Sequence, residues 1–304
     1  MTTAKANGLT IEYESLGDPA DPAIVLIMGL GMQLLAWPDE FCRLLVRRGF
    51  RVVRFDNRDS GLSSRIAGQR SMNPMLAMIA ARLGLRVRAA YGLEDMARDT
   101  IGLMDALGIE RAHIVGASLG GMIAQVLAAR FPARVLSLTS IMSSSGNPKV
   151  SRPKKRALQI MMGRPPRGAT TEQVTAHLVD VFRAIGSPDY PIERHELHER
   201  IGRWVRRAYD PAGTARQMVA IIASGDRRRL LREIRVPTLV IHGAEDPLVR
   251  VEAGHDTARA IAGAEMLVID GMGHDLPDPL LTTLADAIAR HCSAATATTT
   301  ASRP

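Results

Sequence analysis

Short apolar runs alternate with amphipathic helical patterns along most of the chain. Six runs have the length and composition of buried strands, at residues 23–28, 51–56, 112–116, 135–141, 238–242 and 265–269. Helical patterns cover residues 38–48, 94–107, 119–130, 251–262 and 279–291. An antiparallel hairpin around residues 10–15 opens the chain. Buried strands that alternate with helices are typical of a parallel sheet with both faces covered. The pattern therefore predicts an α/β fold with a mostly parallel eight-stranded sheet flanked by helices.

Two segments interrupt this alternation. The larger, residues 146–235, contains helical patterns at 171–185, 192–209 and 212–224 and no convincing strand. It is predicted to be a helical cap inserted between the sixth and seventh strands. The chain then divides into a core of residues 1–145 and 236–292, the cap of residues 146–235, and a small polar tail, residues 293–304, that is expected to be disordered.

The smaller interruption, residues 66–90, carries the apolar stretch 75–80. It is predicted to form a short helix at the substrate entrance. Its apolar face either packs on the cap or makes peripheral contact with lipid, and packing is the preferred interpretation. The role of the 66–90 segment stays open at this point.

Composition limits the classes of protein that the chain can represent. A chain of 304 residues with 46% hydrophobic content can bury one large core. The start of the chain lacks the pattern of a signal peptide, and the longest apolar stretch, 23–36, is too short to span a bilayer, so a cytoplasmic protein is expected. Cys42 and Cys292 form neither a disulfide framework nor a metal site.

The net charge of +8 is almost all due to arginine, concentrated in residues 152–167 and 227–235. These runs either attract anionic substrates or a membrane surface, or form a solvated basic face, which is the preferred interpretation. Nucleic-acid binding is not expected, because no binding motif accompanies the charge and aromatic residues make up only 4% of the chain.

The most informative local motif is Gly-Ala-Ser-Leu-Gly-Gly at residues 116–121, between a predicted strand and a predicted helix. A serine in such a tight turn presents its hydroxyl above the sheet, and small neighbours allow the turn to form. Ser118 is therefore a candidate nucleophile. The amide of Leu119, at the start of the helix, is a candidate donor to an oxyanion.

A serine nucleophile needs a base, and the base needs an orienting carboxylate. Asp246 and His274 each follow a predicted strand, where sheets of this kind place their sites. Their chain order after Ser118 is the one expected for α/β-hydrolases. Glu245 is the rival acid, but the proline after Asp246 favours a fixed turn that presents the aspartate.

The other histidines have weaker claims. His113 begins a strand and His242 ends one, so both are interpreted as structural residues. His177, His195 and His198 lie in the cap, where exposure to solvent is expected. The run from His195 to His198 also fails the H-E-x-x-H spacing of a zinc-binding helix, because residue 199 is glutamate.

A second oxyanion donor is expected in the turn at residues 28–32, where glycines allow the backbone to approach a substrate. Leu30 is the first choice and Gly31 the alternative. Methionines at positions 28, 32, 122, 142 and 272 lie near the proposed catalytic loops; they either fill the core or line an adaptable acyl pocket.

These motifs make the chain resemble the α/β-hydrolase superfamily over almost its whole length. The segments 29–32, 37–41 and 55–63 resemble the subgroup that contains aclacinomycin methylesterase and actinobacterial carboxylesterases. The resemblance implies Ser118, Asp246 and His274 as catalytic triad, the 29–32 turn with Leu119 as oxyanion hole, and no cofactor or metal. Many members of the superfamily have histidine where this chain has Met28, and this difference should affect support of the turn more than its amides. Within 56–63, Arg58 and Asp59 are interpreted as braces of the turn.

The expected function is a serine carboxylic ester hydrolase that acts on apolar or bulky small-molecule esters through an acyl-enzyme. Hydrolysis of a carbon–carbon bond and perhydrolysis use the same triad and are the alternatives. A non-catalytic binding protein is less favoured, because such relatives usually have a broken triad. The sequence leaves the ester, its acyl length and the oligomeric state undetermined.

Overall fold

An eight-stranded sheet forms the centre of the molecule in this computed structural model, which describes residues 2–301 except 69, 164 and 167. The strands are β1 (Thr2–Ala6), β2 (Leu9–Leu16), β3 (Ala23–Ile27), β4 (Arg51–Phe55), β5 (Ala112–Ala117), β6 (Val135–Ile141), β7 (Thr238–Gly243) and β8 (Glu265–Ile269). Their order across the sheet is β1-β2-β4-β3-β5-β6-β7-β8. The pairs β1–β2 and β2–β4 are antiparallel and all other pairs are parallel. The predicted mostly parallel α/β sheet is confirmed.

Helices cover both faces of this sheet. The helices outside the 146–235 segment are α1 (Asp39–Val46), α2 (Pro74–Arg82), α3 (Leu93–Ala106), α4 (Leu119–Arg130), α10 (Val251–Ala260) and α11 (Leu281–Ala301). Neighbouring residues of the central strand β5 belong to opposite core clusters: Ile114 packs with residues of α3 and α4, and Val115 packs with residues of α1 and α11. Burial of both faces explains why the central strands are apolar throughout instead of alternating.

Between β6 and β7 the described residues form five helices: α5 (Lys155–Met162), α6 (Thr171–Ile185), α7 (Arg194–Arg207), α8 (Pro211–Ser224) and α9 (Arg228–Leu231). Helices α6 and α7 share a small apolar cluster of Val179, Leu197 and Ile201. We call residues 146–235 the cap; its limits stay a prediction from the sequence. Arg164 and Arg167 of the predicted basic run lie outside the described residues.

Helix α2 falls within the segment 66–90, where a short helix was expected, and it packs against α8 of the cap. Its buried side chains are the small ones, Ala77 and Ala80, whereas Leu76 and Ile79 are exposed. The preferred interpretation, that the apolar face packs on the cap, is therefore correct for the alanines and wrong for the large side chains.

The expectation of a disordered tail is also wrong for residues 293–301, because α11 continues to Ala301. Ala295 is buried, and the Thr296 hydroxyl lies 3.3 Å from His113 Nε2, so tertiary contacts support the extra turns. Residues 302–304 of the predicted tail lie outside the described residues. Among the residues that the structure does describe, no helix is both long and apolar enough to cross a membrane.

Candidate active site

Ser118 occupies the sharp turn between the end of β5 and the start of α4. Its backbone angles, φ 56° and ψ −118°, are strained for any residue with a side chain. The flanking glycines are required by close backbone contacts: a Cβ at Gly116 would lie 2.1 Å from the Gly120 carbonyl oxygen, and one at Gly120 would lie 1.9 Å from the Ile27 carbonyl oxygen. The motif therefore fixes the position of the serine relative to both β3 and α4.

Three predicted side chains meet at this turn. Asp246 follows β7 and His274 follows β8, so both lie beyond the carboxyl ends of strands adjacent in the sheet. His274 Nε2 is 3.0 Å from Ser118 Oγ, and His274 Nδ1 is 2.6 Å from Asp246 Oδ2. Residues far apart in sequence thus form one chain of hydrogen bonds with the histidine in the middle.

The carboxylate of Asp246 is buried and fully provided with donors. Its Oδ1 accepts hydrogen bonds of 2.8 Å from the amides of both Leu248 and Val249, which leaves Oδ2 for His274. Burial alone would raise the pKa of Asp246, but the charge of His274 and the hydrogen bonds with His242 and His274 outweigh it and lower the pKa to about 2. Asp246 is therefore ionised at neutral pH.

Glu245, the rival acid, points elsewhere. Its side chain is exposed and forms an ion pair of 3.7 Å with Lys154.

His242 contacts both the backbone and the Asp246 carboxylate. Its Nε2 lies 2.6 Å from the Val249 carbonyl oxygen and 3.6 Å from Asp246 Oδ2. His242 therefore helps to enclose the carboxylate, a role that its position at a strand end did not reveal.

The 28–32 turn lies directly beside the serine, since a Cβ on Gly29 would be 3.2 Å from Ser118 Cβ. The Gly31 amide is occupied, because it donates a 2.8 Å hydrogen bond to Gln217 Oε1. The amides of Leu30 and Leu119 form no hydrogen bond with the described part of the chain. Two unoccupied amides next to a serine hydroxyl are what an oxyanion hole requires, and Leu30 stays preferred over Gly31.

Gln217 is a functional candidate that the sequence did not reveal. It lies on α8, is fully buried, and also donates hydrogen bonds to the Arg58 carbonyl oxygen (2.7 Å) and to Ser60 Oγ (3.0 Å). In the sequence Gln217 is one polar residue of a predicted amphipathic helix, so hydrophobic periodicity gives no sign that it binds the Gly31 amide. Through Gln217 the cap fixes the turn that offers the Leu30 amide.

The cap also contacts the loop that bears His274. The His274 amide donates to the Ile185 carbonyl oxygen at 2.7 Å, and the Gly273 amide donates to Ser187 Oγ at 2.8 Å. The Ser187 hydroxyl in turn donates to Asp275 at 2.5 Å. Both loops that face Ser118 are therefore hydrogen-bonded to residues of the cap.

The segment 56–63 is tied into the same framework. Asp56 accepts a 2.7 Å hydrogen bond from the Leu34 amide and another of 2.7 Å from Arg207 of α7. Asp59 accepts hydrogen bonds from the Tyr91 hydroxyl and from Arg216 of α8. These contacts support the interpretation of the segment as a brace.

The methionines near these loops are mainly core residues. Met28, Met142 and Met272 are buried in the cluster that contains α1 and α11, and Met122 is buried in the opposite cluster. Among the described residues, no group of three or more histidine, cysteine or acidic side chains is arranged to hold a metal ion.

Comparison with known proteins agrees with this architecture. A family model described as alpha/beta hydrolase fold matches residues 22–278. The rhodomycin D methylesterase DauP of Streptomyces sp. (strain C5) is 31% identical over 95% of this chain and 96% of its own, and DnrP of Streptomyces peucetius is 30% identical over the same shares. The solved structure of an enol-lactonase from Burkholderia xenovorans LB400 superposes with a TM-score of 0.70 at 27% identity, covering 97% of this chain and 100% of that chain.

Proposed function

The chain belongs to the α/β-hydrolase family and is a carboxylic ester hydrolase, and we propose that it works through an acyl-enzyme formed on Ser118. The observation that carries the proposal is the hydrogen-bond chain from Ser118 Oγ through His274 to the buried carboxylate of Asp246. A serine hydroxyl is a poor nucleophile until a base removes its proton, and this arrangement supplies the base and its orienting group.

In the first half of the proposed reaction, His274 Nε2 takes the proton of the Ser118 hydroxyl as Ser118 Oγ attacks the ester carbonyl carbon. The carbonyl oxygen becomes an oxyanion that accepts hydrogen bonds from the amides of Leu30 and Leu119. Asp246 stabilises the resulting imidazolium. When the tetrahedral intermediate collapses, His274 returns the proton to the leaving alkoxide, which departs as an alcohol.

In the second half, water replaces the alcohol. His274 removes a proton from the water, whose oxygen attacks the acyl carbon, and the proton then passes to Ser118 Oγ as the acyl bond breaks. The carboxylic acid leaves and the serine is restored. The strained backbone of Ser118 supports this use, because strain is commonly stored where geometry must be fixed for catalysis.

We propose methyl esters of bulky, mainly apolar acids as the substrate class. The support is the likeness to two relatives that are named for the methyl ester of rhodomycin D and that align over nearly the whole chain. With 95% of this chain aligned, most of the cap lies within the aligned region, and the cap is the part of the molecule that contacts both loops facing Ser118.

The test of the mechanism is Ser118→Ala. It should abolish turnover of p-nitrophenyl esters and labelling by a fluorophosphonate, because both need the same oxygen as nucleophile. Ser143→Ala is a matched control, since Ser143 lies at the end of the neighbouring strand and its hydroxyl donates to the Ser118 carbonyl oxygen without contacting His274. Turnover that survives in Ser118→Ala, with an unchanged circular dichroism spectrum, would overturn the proposal.

Substrate class needs a separate experiment. A panel of methyl esters with acids of increasing bulk, p-nitrophenyl esters of increasing acyl length, and a vinylogous β-diketone should give the highest kcat/KM with the bulky methyl esters. Faster cleavage of the diketone would favour the carbon–carbon hydrolase alternative while leaving the nucleophile assignment intact.

A further inference from the structure

Helix α2 and the turn after it expose an unusual concentration of large apolar side chains. Leu76, Leu83 and Leu85 are 57%, 68% and 60% exposed, although leucine is among the residues most often buried. We call this surface the α2 patch; its apolar members are Met75, Leu76, Met78, Ile79, Leu83 and Leu85.

The α2 patch is a built part of the fold, because the helix is anchored from below. Ala77 and Ala80 are buried where α2 packs on α8, and the Asn73 side chain caps the helix by accepting a hydrogen bond of 2.9 Å from the Met75 amide. Small side chains face the protein and large ones face outward, which is the reverse of a helix whose apolar side serves the core.

Four arginines lie within or close to the apolar patch in the sequence. Arg70, Arg82, Arg86 and Arg88 are all exposed, and none forms an ion pair with a described residue. The sequence from 66 to 93 contains no aspartate or glutamate. The patch therefore combines an apolar centre with cationic charge that the described chain leaves unbalanced.

We propose that the α2 patch docks on an anionic lipid bilayer, with its leucines, isoleucine and methionines in the boundary of the acyl region and its arginines on lipid phosphates. Basic residues beside exposed large apolar side chains are typical of a surface that lies in a membrane interface. This inference concerns a binding surface and does not depend on the proposed reaction.

Two competing occupants fit the same surface less well. A second copy of this chain in a symmetric pair would bring the same four arginines towards one another, and like charges across an interface oppose association. Single-stranded nucleic acid needs aromatic side chains for base stacking, and residues 66–90 contain none. An anionic bilayer satisfies both the charge and the apolar area.

The experiment is co-sedimentation of the full chain with vesicles at low salt, using phosphatidylcholine alone or mixed in equal parts with phosphatidylglycerol. Binding is expected only to the mixed vesicles and should weaken as salt is added. The double variant Arg82→Gln with Arg86→Gln should lower the partition coefficient about 25-fold, or about fivefold per arginine. Leu76→Ser with Leu83→Ser should lower it by about tenfold or more per leucine.

Matched controls separate the patch from general electrostatics. Arg229→Gln with Arg232→Gln removes the same charge from exposed arginines of the cap, and Leu158→Ser with Val268→Ser removes exposed apolar side chains elsewhere. Both controls should bind vesicles like the parent chain. All variants should hydrolyse a short soluble p-nitrophenyl ester at the parental rate, which verifies that they fold.

Three outcomes would overturn the proposal. They are absence of binding to the mixed vesicles, equal binding to pure phosphatidylcholine, and loss of binding that is as large in the Arg229 and Arg232 control as in the patch variant. A concentration-dependent dimer that disappears in Leu76→Ser with Leu83→Ser, without vesicle binding, would assign the patch to a second copy of the chain instead.

Discussion

The hydrogen bonds of the Asp246 carboxylate fix its orientation towards His274. Two backbone amides satisfy Oδ1 and leave Oδ2 to His274, so the carboxylate cannot rotate away without losing three hydrogen bonds. A carboxylate held in this way stays charged in a buried site and favours the histidine tautomer that places a lone pair towards Ser118.

Replacement of this residue by asparagine should leave the fold intact and lower kcat by about 10³- to 10⁴-fold, because the amide would stabilise the wrong histidine tautomer. The measurement is steady-state turnover of a p-nitrophenyl ester at neutral pH. Glu245→Gln removes the neighbouring exposed carboxylate and should leave kcat near the parental value. A larger loss in Glu245→Gln than in Asp246→Asn would show that the acid has been misassigned.

The same substitution has an effect on stability that depends on pH. Because the folded-state pKa of Asp246 is lowered to about 2 from its ordinary value of 3.8, its contribution to the free energy of unfolding is fully present above about pH 4 and is lost as pH falls through 2. Urea titrations at several pH values between 4 and 2 should therefore show that the free energy of unfolding falls more steeply with decreasing pH in the parent than in Asp246→Asn.

At this scale the structure brings together the three candidate residues that have a local signature in the sequence. Ser118 lies in a glycine-bounded turn, and Asp246 and His274 each follow a clearly apolar strand. Gln217 and Ser187 could not be predicted, because their functions depend on contacts with residues far away in sequence. A hydrogen bond that spans 186 residues leaves no mark on local composition.

Among the elements, α8 connects the cap to the proposed oxyanion turn. Its buried Gln217 accepts a hydrogen bond from the Gly31 amide and donates hydrogen bonds to the Arg58 carbonyl oxygen and Ser60 Oγ, which follow β4. This hydrogen bond fixes the Gly31 amide, while the Leu30 amide forms no hydrogen bond with the described residues. Gln217 is therefore a positioning residue in the proposed mechanism.

Gln217→Met should lower kcat about tenfold, equivalent to about 1.4 kcal/mol of transition-state stabilisation, with a smaller change in KM. The reason is that a mobile turn weakens binding of the oxyanion more than binding of the neutral ester. Thr214→Val is the control on the same helix. The Thr214 side chain also lies beside Gly31, but its hydroxyl donates a hydrogen bond to the Asp210 carbonyl oxygen and not to the turn. Equal losses in the two variants would indicate general loosening of α8.

Several element boundaries agree with those that the hydrophobic pattern predicts. Strands β6 and β8 and helices α4 and α6 begin and end at the predicted residues. The end of α11 was missed because its last turns are rich in threonine and alanine, a composition that resembles a polar tail. Burial of Ala295 and the contact of Thr296 with His113 are tertiary effects that override this composition.

For the whole molecule, buried ion pairs join the cap to the rest of the chain. Arg207 of α7 donates to Asp56, and Arg216 of α8 donates to Asp59; in both pairs the aspartate is completely buried. Loss of one partner leaves a buried charge without its counterion, which typically costs several kcal/mol. The cap and the core should therefore unfold together.

The two tryptophans allow a direct measurement of this coupling, since Trp37 precedes α1 and Trp204 lies in α7. In urea, Trp37→Phe and Trp204→Phe each leave one fluorophore, and both should report the same midpoint as circular dichroism. Arg207→Met should lower the free energy of unfolding by about 3 kcal/mol in both reporters. Arg203→Met, on the exposed side of α7, should change it little.

A lower unfolding midpoint reported by Trp204 alone, in the Trp37→Phe variant, would contradict joint unfolding.

The overall architecture was predictable from the sequence: eight strands, mostly parallel, with helices on both faces. Alternation of apolar runs and helices determines that arrangement because each central strand must be covered twice. The ion pairs between cap and core were not predictable, since charged residues of both signs are spread throughout the chain.

The hydrogen bond from the Gly31 amide to Gln217 has a consequence for recombination among relatives. Exchange of caps is a natural route to new substrate range when the inserted segment behaves as an independent module. Here the inserted segment also supplies an acceptor to the turn beside Ser118, the proposed nucleophile. A transplanted cap that lacks a matching acceptor would therefore alter turnover of every substrate, so selectivity and speed in this lineage must evolve together.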